Sequence, residues 1–332
     1  MTDIHPAPDI RRAPIPYPQA WTAAALGGKA PLTKELGPDA LRALDALAAA
    51  LRGRDFPDIS RSDASDPAIV EPMTRVREEV MHGRGIAVVR GPEPSRYDPE
   101  DYARLYWALG AHLGQGVVQS YFSDYVARVE RNPNLPWRGT TTDMELRPHT
   151  DFHEVMSLAS VSLPESGGVS GFVSSLAVHN EILRTRPQLL PALYEGWYNT
   201  SALRKQLSSR KTPIFCCVGG AVSCFYNRVF FAKPEEAPEP FPAALCEAMA
   251  YMDSLCVRDD LIARFTLEPG EMVFWHNFLV MHSRTSFHDT GTRHRLLLRL
   301  WLNVPDGRPM AAEVRARAGI IDQDHIAGRR AP

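Results

Sequence analysis

The sequence predicts an α+β fold, with helices crowding the first half and the short strands of an antiparallel sheet, sandwich or barrel filling the second. Apolar residues recur at helical spacing over 37–54 and 98–114. From residue 125 onward, short alternating or continuously apolar runs separated by Gly, Pro and Asn dominate. A strand–helix–strand rhythm, which would build a parallel sheet, is missing.

Residues 1–35 are proline-rich and read as an extended arm over the surface. The stretch "GPDALRALDALAAALRGR" is a helix with Asp39 near its start. A helical "EPMTRVREEVMHGRG" leads into a strand, "GIAVVRG" (85–91). The helix over 98–114 carries acids in its first turn and ends at glycine. "YVARVE" (125–130) is a strand, and the polar, aperiodic segment 132–148 that follows is a long loop of the kind usually kept for function. "VMSLASVSLPESGG" is a strand closed by a Gly-Gly turn. Two short helices broken before Pro187 come next, then a hairpin over 213–227 around Gly219-Gly220. "AALCEAMAYMDSLCV" is one amphipathic helix, and three more strands lie in "ARFTLEPGEMVFWHNFLVMHSRTSF" and "RHRLLLRLWLN".

The chain has 332 residues, 44% of them hydrophobic and 23% charged, which suffices for a large core. With no repeats, heptads or low-complexity linker, one domain over 1–332 is expected. A formal net charge of -2 gives no general attraction to nucleic acid or to an anionic membrane. The five cysteines are odd in number and lack zinc-like spacing, so they read as buried thiols in a reducing compartment. With no apolar signal region and no run long enough to span a bilayer, the expected location is cytoplasmic. The sequence carries no reading of oligomeric state.

The stretch "LRPHTDFHEVM" (146–156) carries the chemistry. On a strand, residues i and i+2 share a face, so His149 and Asp151 can reach one ion. A third ligand must come from afar, and His282 in "FLVMHSRT" is the best candidate. Two histidines and one carboxylate on one face of an ion form the facial triad of non-haem Fe(II) oxygen chemistry. His153 shares the same expected face and is read as a pocket or supporting residue. Oxygenases of this kind commonly draw electrons from 2-oxoglutarate, whose distal carboxylate needs a buried cation. Arg295 follows His282 after twelve residues, with Arg299 on the same strand face. Two inward-facing arginines on an apolar strand are costly unless they meet anions.

Together "HTD" (149–151), "LPESGGVS" (163–170), "SSLAVHNEI" (174–182), "EPGEMVFWHNFLVMHSR" (268–284) and "RHRLLLRLWL" (293–302) resemble the taurine dioxygenase/2,4-dichlorophenoxyacetate dioxygenase family, the TauD/TfdA-like, clavaminate-synthase-like group. The matching motifs lie within 145–303. The resemblance implies a distorted double-stranded β-helix, or jelly roll, with helices packed outside. It implies Fe(II) on His149, Asp151 and His282, with 2-oxoglutarate and O2 as cosubstrates. Arg295 would hold the distal carboxylate of 2-oxoglutarate, with Ser170 donating a hydroxyl to it. The interval from Asp151 to Ser170 is shorter than in many members, so Ser174 and Ser175 stay open for that role. Arg299 would hold an acidic group of the prime substrate. Apart from the resemblance, the polar segment with Trp137 runs straight into the ligands and is read as part of a substrate lid.

The reaction implied is hydroxylation or desaturation of an unactivated C–H bond in a small anionic metabolite or amino-acid derivative. A biosynthetic tailoring oxygenase acting on a larger amino-acid-derived substrate is the alternative. A non-catalytic metal-binding jelly roll and a zinc hydrolase on the same ligands are the readings from other classes.

Overall fold

The computed structural model describes residues 9–119, 124–135, 139–200, 207–305 and 307–317. The N-terminal arm is extended only in part. It turns into a short helix, α1 (Ala23–Leu26), and an edge strand, β1 (Thr33–Glu35). Trp21 anchors it: its ring is fully buried, and its indole N–H donates to the Arg84 carbonyl at 2.8 Å.

Helix α2 (Pro38–Leu51) starts at a proline that needs no N–H partner, and it buries Leu44, Leu47 and Leu51 along one stripe. Helix α3 (Pro67–Met81) begins earlier than the sequence pattern suggested, because Asp66 caps the N–H of Ala68 and Pro67 opens the first turn. Strand β2 (Ile86–Arg90) follows, and then α4 (Pro99–Gly110), capped by Asp98. The remaining strands and helices, in chain order, are β3 (Gln115–Gly116), β4 (Ala127–Val129), β5 (Leu146–His149), β6 (Val155–Ser162), β7 (Ser166–Gly167), β8 (Ser170–Ser174), α5 (Ser175–Thr185) and α6 (Leu190–Glu195). Then come β9 (Phe215–Val218), β10 (Ala221–Cys224), α7 (Ala243–Cys256), β11 (Ile262–Phe265), β12 (Glu271–His276), β13 (Val280–Arg284), β14 (Phe287–His288) and β15 (Leu296–Asn303). The last stretch thus holds more strands than the three expected, because "ARFTL" pairs as a separate strand and "FH" as a two-residue one.

Two sheets form the jelly roll, and they do not close into a barrel. The larger runs β1-β2-β12-β6-β15-β3, with β4 also on β15, and only the β1–β2 pair is parallel. The smaller runs β11-β8-β13-β5, antiparallel throughout. Strand alternation sorts the core in two. Val273 and Trp275 of β12 face the smaller sheet, where Trp275 meets Phe172 edge-on at 5.5 Å. Met272 and Phe274 face the opposite way, onto α2, α3 and α4. The large sheet is therefore buried on both faces, which explains the near-continuous apolar runs of β2, β12 and β15. Among the described residues no helix is long and apolar enough to cross a membrane.

Candidate active site

A cavity of about 570 Å³ opens at one end of the two sheets. That is the usual size of a small-molecule site. His149, Asp151, His282, Ser170, Arg295 and Arg299 all line it.

The two histidines meet because β5 and β13 pair antiparallel with His149 directly opposite His282. Their rings lie 4.2 Å apart, centroid to centroid. Asp151 arrives differently from the sequence expectation. Strand β5 ends at His149, so Asp151 is past the strand, and face parity is not what aims it. Instead its backbone N–H donates to Asn277 Oδ1 at 2.9 Å, while Thr150 is pinned through its N–H to the Tyr226 carbonyl at 2.8 Å. One potential ligand atom from each of His149, Asp151 and His282 lies within 4.8 Å of the others.

His149 and Asp151 are oriented from behind by hydrogen bonds, whereas the His282 ring is held by packing against Trp275 at 4.8 Å, its Nδ1 without a hydrogen-bond partner among the described residues. His149 Nδ1 is 2.7 Å from the Arg147 carbonyl, which leaves Nε2 toward Asp151 Oδ1 at 3.9 Å. Asp151 Oδ2 accepts from the Trp301 indole N–H at 3.2 Å and lies 3.6 Å from Arg299 Nη1. Arg299 Nε in turn donates to Gln119 Oε1 at 2.9 Å, and Gln119 returns a bond to the Arg299 carbonyl at 2.6 Å. Burial alone would raise the Asp151 carboxyl, but Arg299, His282, His149 and the Trp301 bond outweigh it and hold the group below the ordinary carboxylate range. Burial and the neighbouring His149 push the His282 imidazole down to about 3, so it is neutral at physiological pH, as a metal ligand must be.

The arginine end of the cavity is built by glycine. Gly167 and Gly168 adopt φ of 75° and 69°, and a Cβ on Gly168 would stand 3.0 Å from Arg295 Nε. A side chain there would displace the guanidinium. Arg295 is 4% exposed, and its Nη1 has no hydrogen-bond partner among the described residues. Burial and the nearby Arg284 push it down to about 9. Such a group fits an anion that is absent from the protein itself. The donor set of His149, Asp151 and His282 likewise fits a divalent transition metal.

Other expected residues are placed differently. Ser174 caps α5 through the Ala177 N–H at 3.1 Å, and Ser175 donates to the Leu279 carbonyl at 2.9 Å; neither lines the cavity, unlike Ser170. His153 is not in the cavity wall either. The chain leaves strand geometry after His149, and the His153 ring is buried 5.5 Å from that of Trp301. Trp137 lies outside the described residues. All five cysteines are free thiols, three of them buried as expected, but Cys246 is exposed on α7.

Several residues that shape the site went unread in the sequence. Trp301 counts as an ordinary core aromatic by its strand position, yet its indole bonds Asp151. Gln119 and Asn277 carry no local signal, since each acts on a residue more than a hundred positions away. Arg284 was legible only as the last residue of "MHSR".

Jelly-roll proteins with two histidines and one carboxylate clustered at a cavity wall are the class of non-haem iron oxygenases, and likeness to known proteins puts this chain in it. The model of the family described as "Taurine catabolism dioxygenase TauD, TfdA family" matches residues 53–301. The chain belongs to that family, and it is an Fe(II)- and 2-oxoglutarate-dependent dioxygenase. FR-33289 synthase of Streptomyces rubellomurinus is 27% identical over 247 residues, spanning 70% of this chain and 72% of that protein. Taurine hydroxylase-like protein SAT17 of Stachybotrys chartarum is 28% identical, spanning 68% of this chain and 64% of that protein. In fold, the chain is similar to asparagine oxygenase in complex with Fe(II), 2S,3S-3-hydroxyasparagine and succinate: TM-score 0.67, 16% identity, 82% of this chain and 93% of that one. It is also similar to the non-heme iron oxygenase OrfP in complex with Fe and alpha-ketoglutaric acid: TM-score 0.63, 16% identity, 86% and 99% of the two chains.

Proposed function

We propose that His149, Asp151 and His282 hold the Fe(II), that Arg295 and Ser170 receive the distal carboxylate of 2-oxoglutarate, and that the enzyme hydroxylates or desaturates a C–H bond of a small anionic, amino-acid-derived metabolite. The observation that carries this is the convergence of three potential ligand atoms within 4.8 Å, in the same cavity wall as a buried arginine lacking a protein partner. Bound iron with 2-oxoglutarate supplies the reduction of O2 that makes an unactivated C–H bond reactive. The chain's own residues do the rest. Arg147 fixes the His149 ring through its carbonyl. Trp301 and Arg299 hold the outer oxygen of Asp151 and leave the inner one for the ion. Phe152, Leu158 and Trp301 keep the cavity apolar and exclude water from the reacting bond.

Arg299 is engaged with both Asp151 and Gln119, so its first role is to position the ligand carboxylate; an acidic substrate group would approach the pair from the cavity side. An amino-acid-derived substrate agrees with asparagine oxygenase and with OrfP, which was captured with (3S)-hydroxy-L-Arg. FR-33289 synthase, named for a product it makes, favours a biosynthetic tailoring role as the second reading. A single functional domain, a cytoplasmic setting and no nucleic-acid partner complete the proposal, supported by the free thiols and the charge balance.

The test is conversion of 2-oxoglutarate to succinate under air with Fe(II), first without and then with a panel of carboxylated, sulfonated and phosphonated amino-acid derivatives. Stimulation by one of them, absent with Zn(II) and lost in Arg295→Ala, supports the proposal. No succinate under any condition, with or without the panel, contradicts it.

A further inference from the structure

We propose that Arg284 is a second guanidinium in the pocket for the 2-oxo acid's distal carboxylate, and that it links filling of that pocket to the 142–144 turn leading into His149. This rests on the cosubstrate reading above, which assigns the pocket to Arg295 and Ser170.

Arg284 ends β13, with its Cα opposite that of Ser170 on β8. It lines the same cavity as Ser170 and Arg295 and is only 5% exposed. Its Nε and Nη1 are buried and, among the described residues, have no hydrogen-bond partner. Arg295 Nη1 is in the same condition. The two guanidiniums lie against one ring, that of Phe287, at 4.9 and 5.1 Å from its centroid. The acids that act on them electrostatically, Asp143 on Arg284 and Asp289 on Arg295, also serve other groups. Asp143 is ion-paired to Arg131 at 3.0 Å, and Asp289 accepts the backbone N–H of Arg295 at 2.9 Å. Two buried cations against one aromatic ring disfavour each other unless an anion arrives. One carboxylate, with two oxygens and about four lone-pair positions, can accept from both forks at once.

The third nitrogen of Arg284 explains the link. Its Nη2 donates to the carbonyls of Thr142, at 2.8 Å, and of Met144. Those residues immediately precede Glu145, Leu146 and Arg147, which line the cavity, and Phe287 N–H closes the turn on the Asp143 carbonyl at 3.0 Å. An anion that fixes the guanidinium therefore fixes the turn. That turn leads directly into the cavity-lining residues Glu145, Leu146 and Arg147, ahead of a proposed metal ligand.

The alternative is that Arg284 only staples the turn. The two are separated by comparing 2-oxoglutarate with 2-oxopentanoate, a chain of the same length that ends in a methyl group. Binding to the Fe(II)-loaded enzyme is followed under argon by calorimetry, with displacement used for the weaker ligand. Arg284→Gln retains a donor for the two carbonyls, and Arg284→Met removes it. Both variants are expected to weaken 2-oxoglutarate by about ten- to a hundredfold, the range of one charge-assisted contact, and to leave 2-oxopentanoate within about twofold. Hydrogen exchange over 139–147 should slow on adding 2-oxoglutarate to the wild type and stay unchanged in Arg284→Met. Equal weakening of both ligands, or of neither, overturns the proposal in favour of a staple. If the wild type binds 2-oxoglutarate no better than 2-oxopentanoate, the cosubstrate pocket itself is refuted, and this inference falls with it.

Discussion

Two buried carboxylates, one at the start of β12 in the large sheet and one just past β5 of the smaller sheet, have opposite surroundings. Glu271, at the start of β12, is fully buried and saturated: Lys29 and Arg90 each reach it at 2.7 Å, and the Glu268 N–H donates at 2.9 Å. Burial alone would raise its carboxyl, yet the bonds from Lys29, Arg90 and the backbone hold it low. Asp151 is also buried, though less completely, and its partners are long and crowd one oxygen: Trp301 at 3.2 Å and Arg299 at 3.6 Å. The other oxygen turns to the histidine pair, with His149 Nε2 at 3.9 Å and a ring nitrogen of His282 in the same cluster. The first group ties an N-terminal segment to the sheet. The second is held in place with its inner side left open, which suits the proposed role of metal ligand. A buried charge that is fully satisfied serves the fold; one that is oriented but left incomplete on the cavity side serves a ligand.

The sharpest break between them is functional. Asp151→Ala should abolish iron-dependent turnover, a loss of at least about a thousandfold, while leaving far-UV circular dichroism and the melting midpoint close to wild type. Iron binding and turnover at wild-type levels would remove Asp151 from the site.

Two buried histidines remote from the cavity give the fold a pH dependence of its own. His179 is fully buried, contacts the Tyr194 hydroxyl at 2.9 Å and titrates near 4, mainly because burial disfavours its charged form. His112, beneath the other face of the sheet, behaves alike. Both are neutral in the fold but take up protons near 6.5 when unfolded. Stability therefore falls as pH drops from about 6.5 to about 4 and levels off below, by at most about 3 kcal/mol for each group. Melting midpoints across that range should show the slope, and His179→Gln should flatten it. An unchanged slope would mean that other groups carry the acid sensitivity.

On the structural carboxylate, Glu271→Gln should lower stability by about 2 kcal/mol in urea, with kcat unchanged per folded molecule. Reduced kcat at equal folded fraction would erase the division between the two carboxylates. The smallest effect is expected behind Asp151. Trp301→Phe keeps the ring but deletes the indole donor, and should weaken Fe(II) about tenfold by equilibrium dialysis. Unaltered iron affinity would leave Trp301 as packing alone.

Much of this was legible in the sequence, and the exceptions share a cause. The hairpin at Gly219-Gly220, the capped helix over 98–114 and the strands around "MVFWH" follow from local patterning and turn residues. The pairing of His149 with His282 was reachable because both sit on or beside strongly apolar runs. Asp151 was grouped with the correct neighbours by strand parity, although its direction comes from Asn277. His153 was expected at the pocket by the same parity, and the chain bends before reaching it. Trp301, Gln119 and Arg284 act across the fold, through contacts that no local period encodes. The Gly-Gly turn at 167–168 was visible as a turn, but not as the floor beneath a guanidinium.

The central claim is that His149, Asp151 and His282 hold iron beside an arginine-lined pocket for 2-oxoglutarate. It is met most directly by anaerobic titration of the protein with Fe(II) and 2-oxoglutarate, watching for the weak visible charge-transfer band of the chelated pair. The account predicts the band in the wild type, its loss in Asp151→Ala, and a shift to much higher 2-oxoglutarate concentration in Arg295→Ala. A wild-type protein that binds iron but shows no band, or an Arg295→Ala variant that saturates at the wild-type concentration, would contradict it.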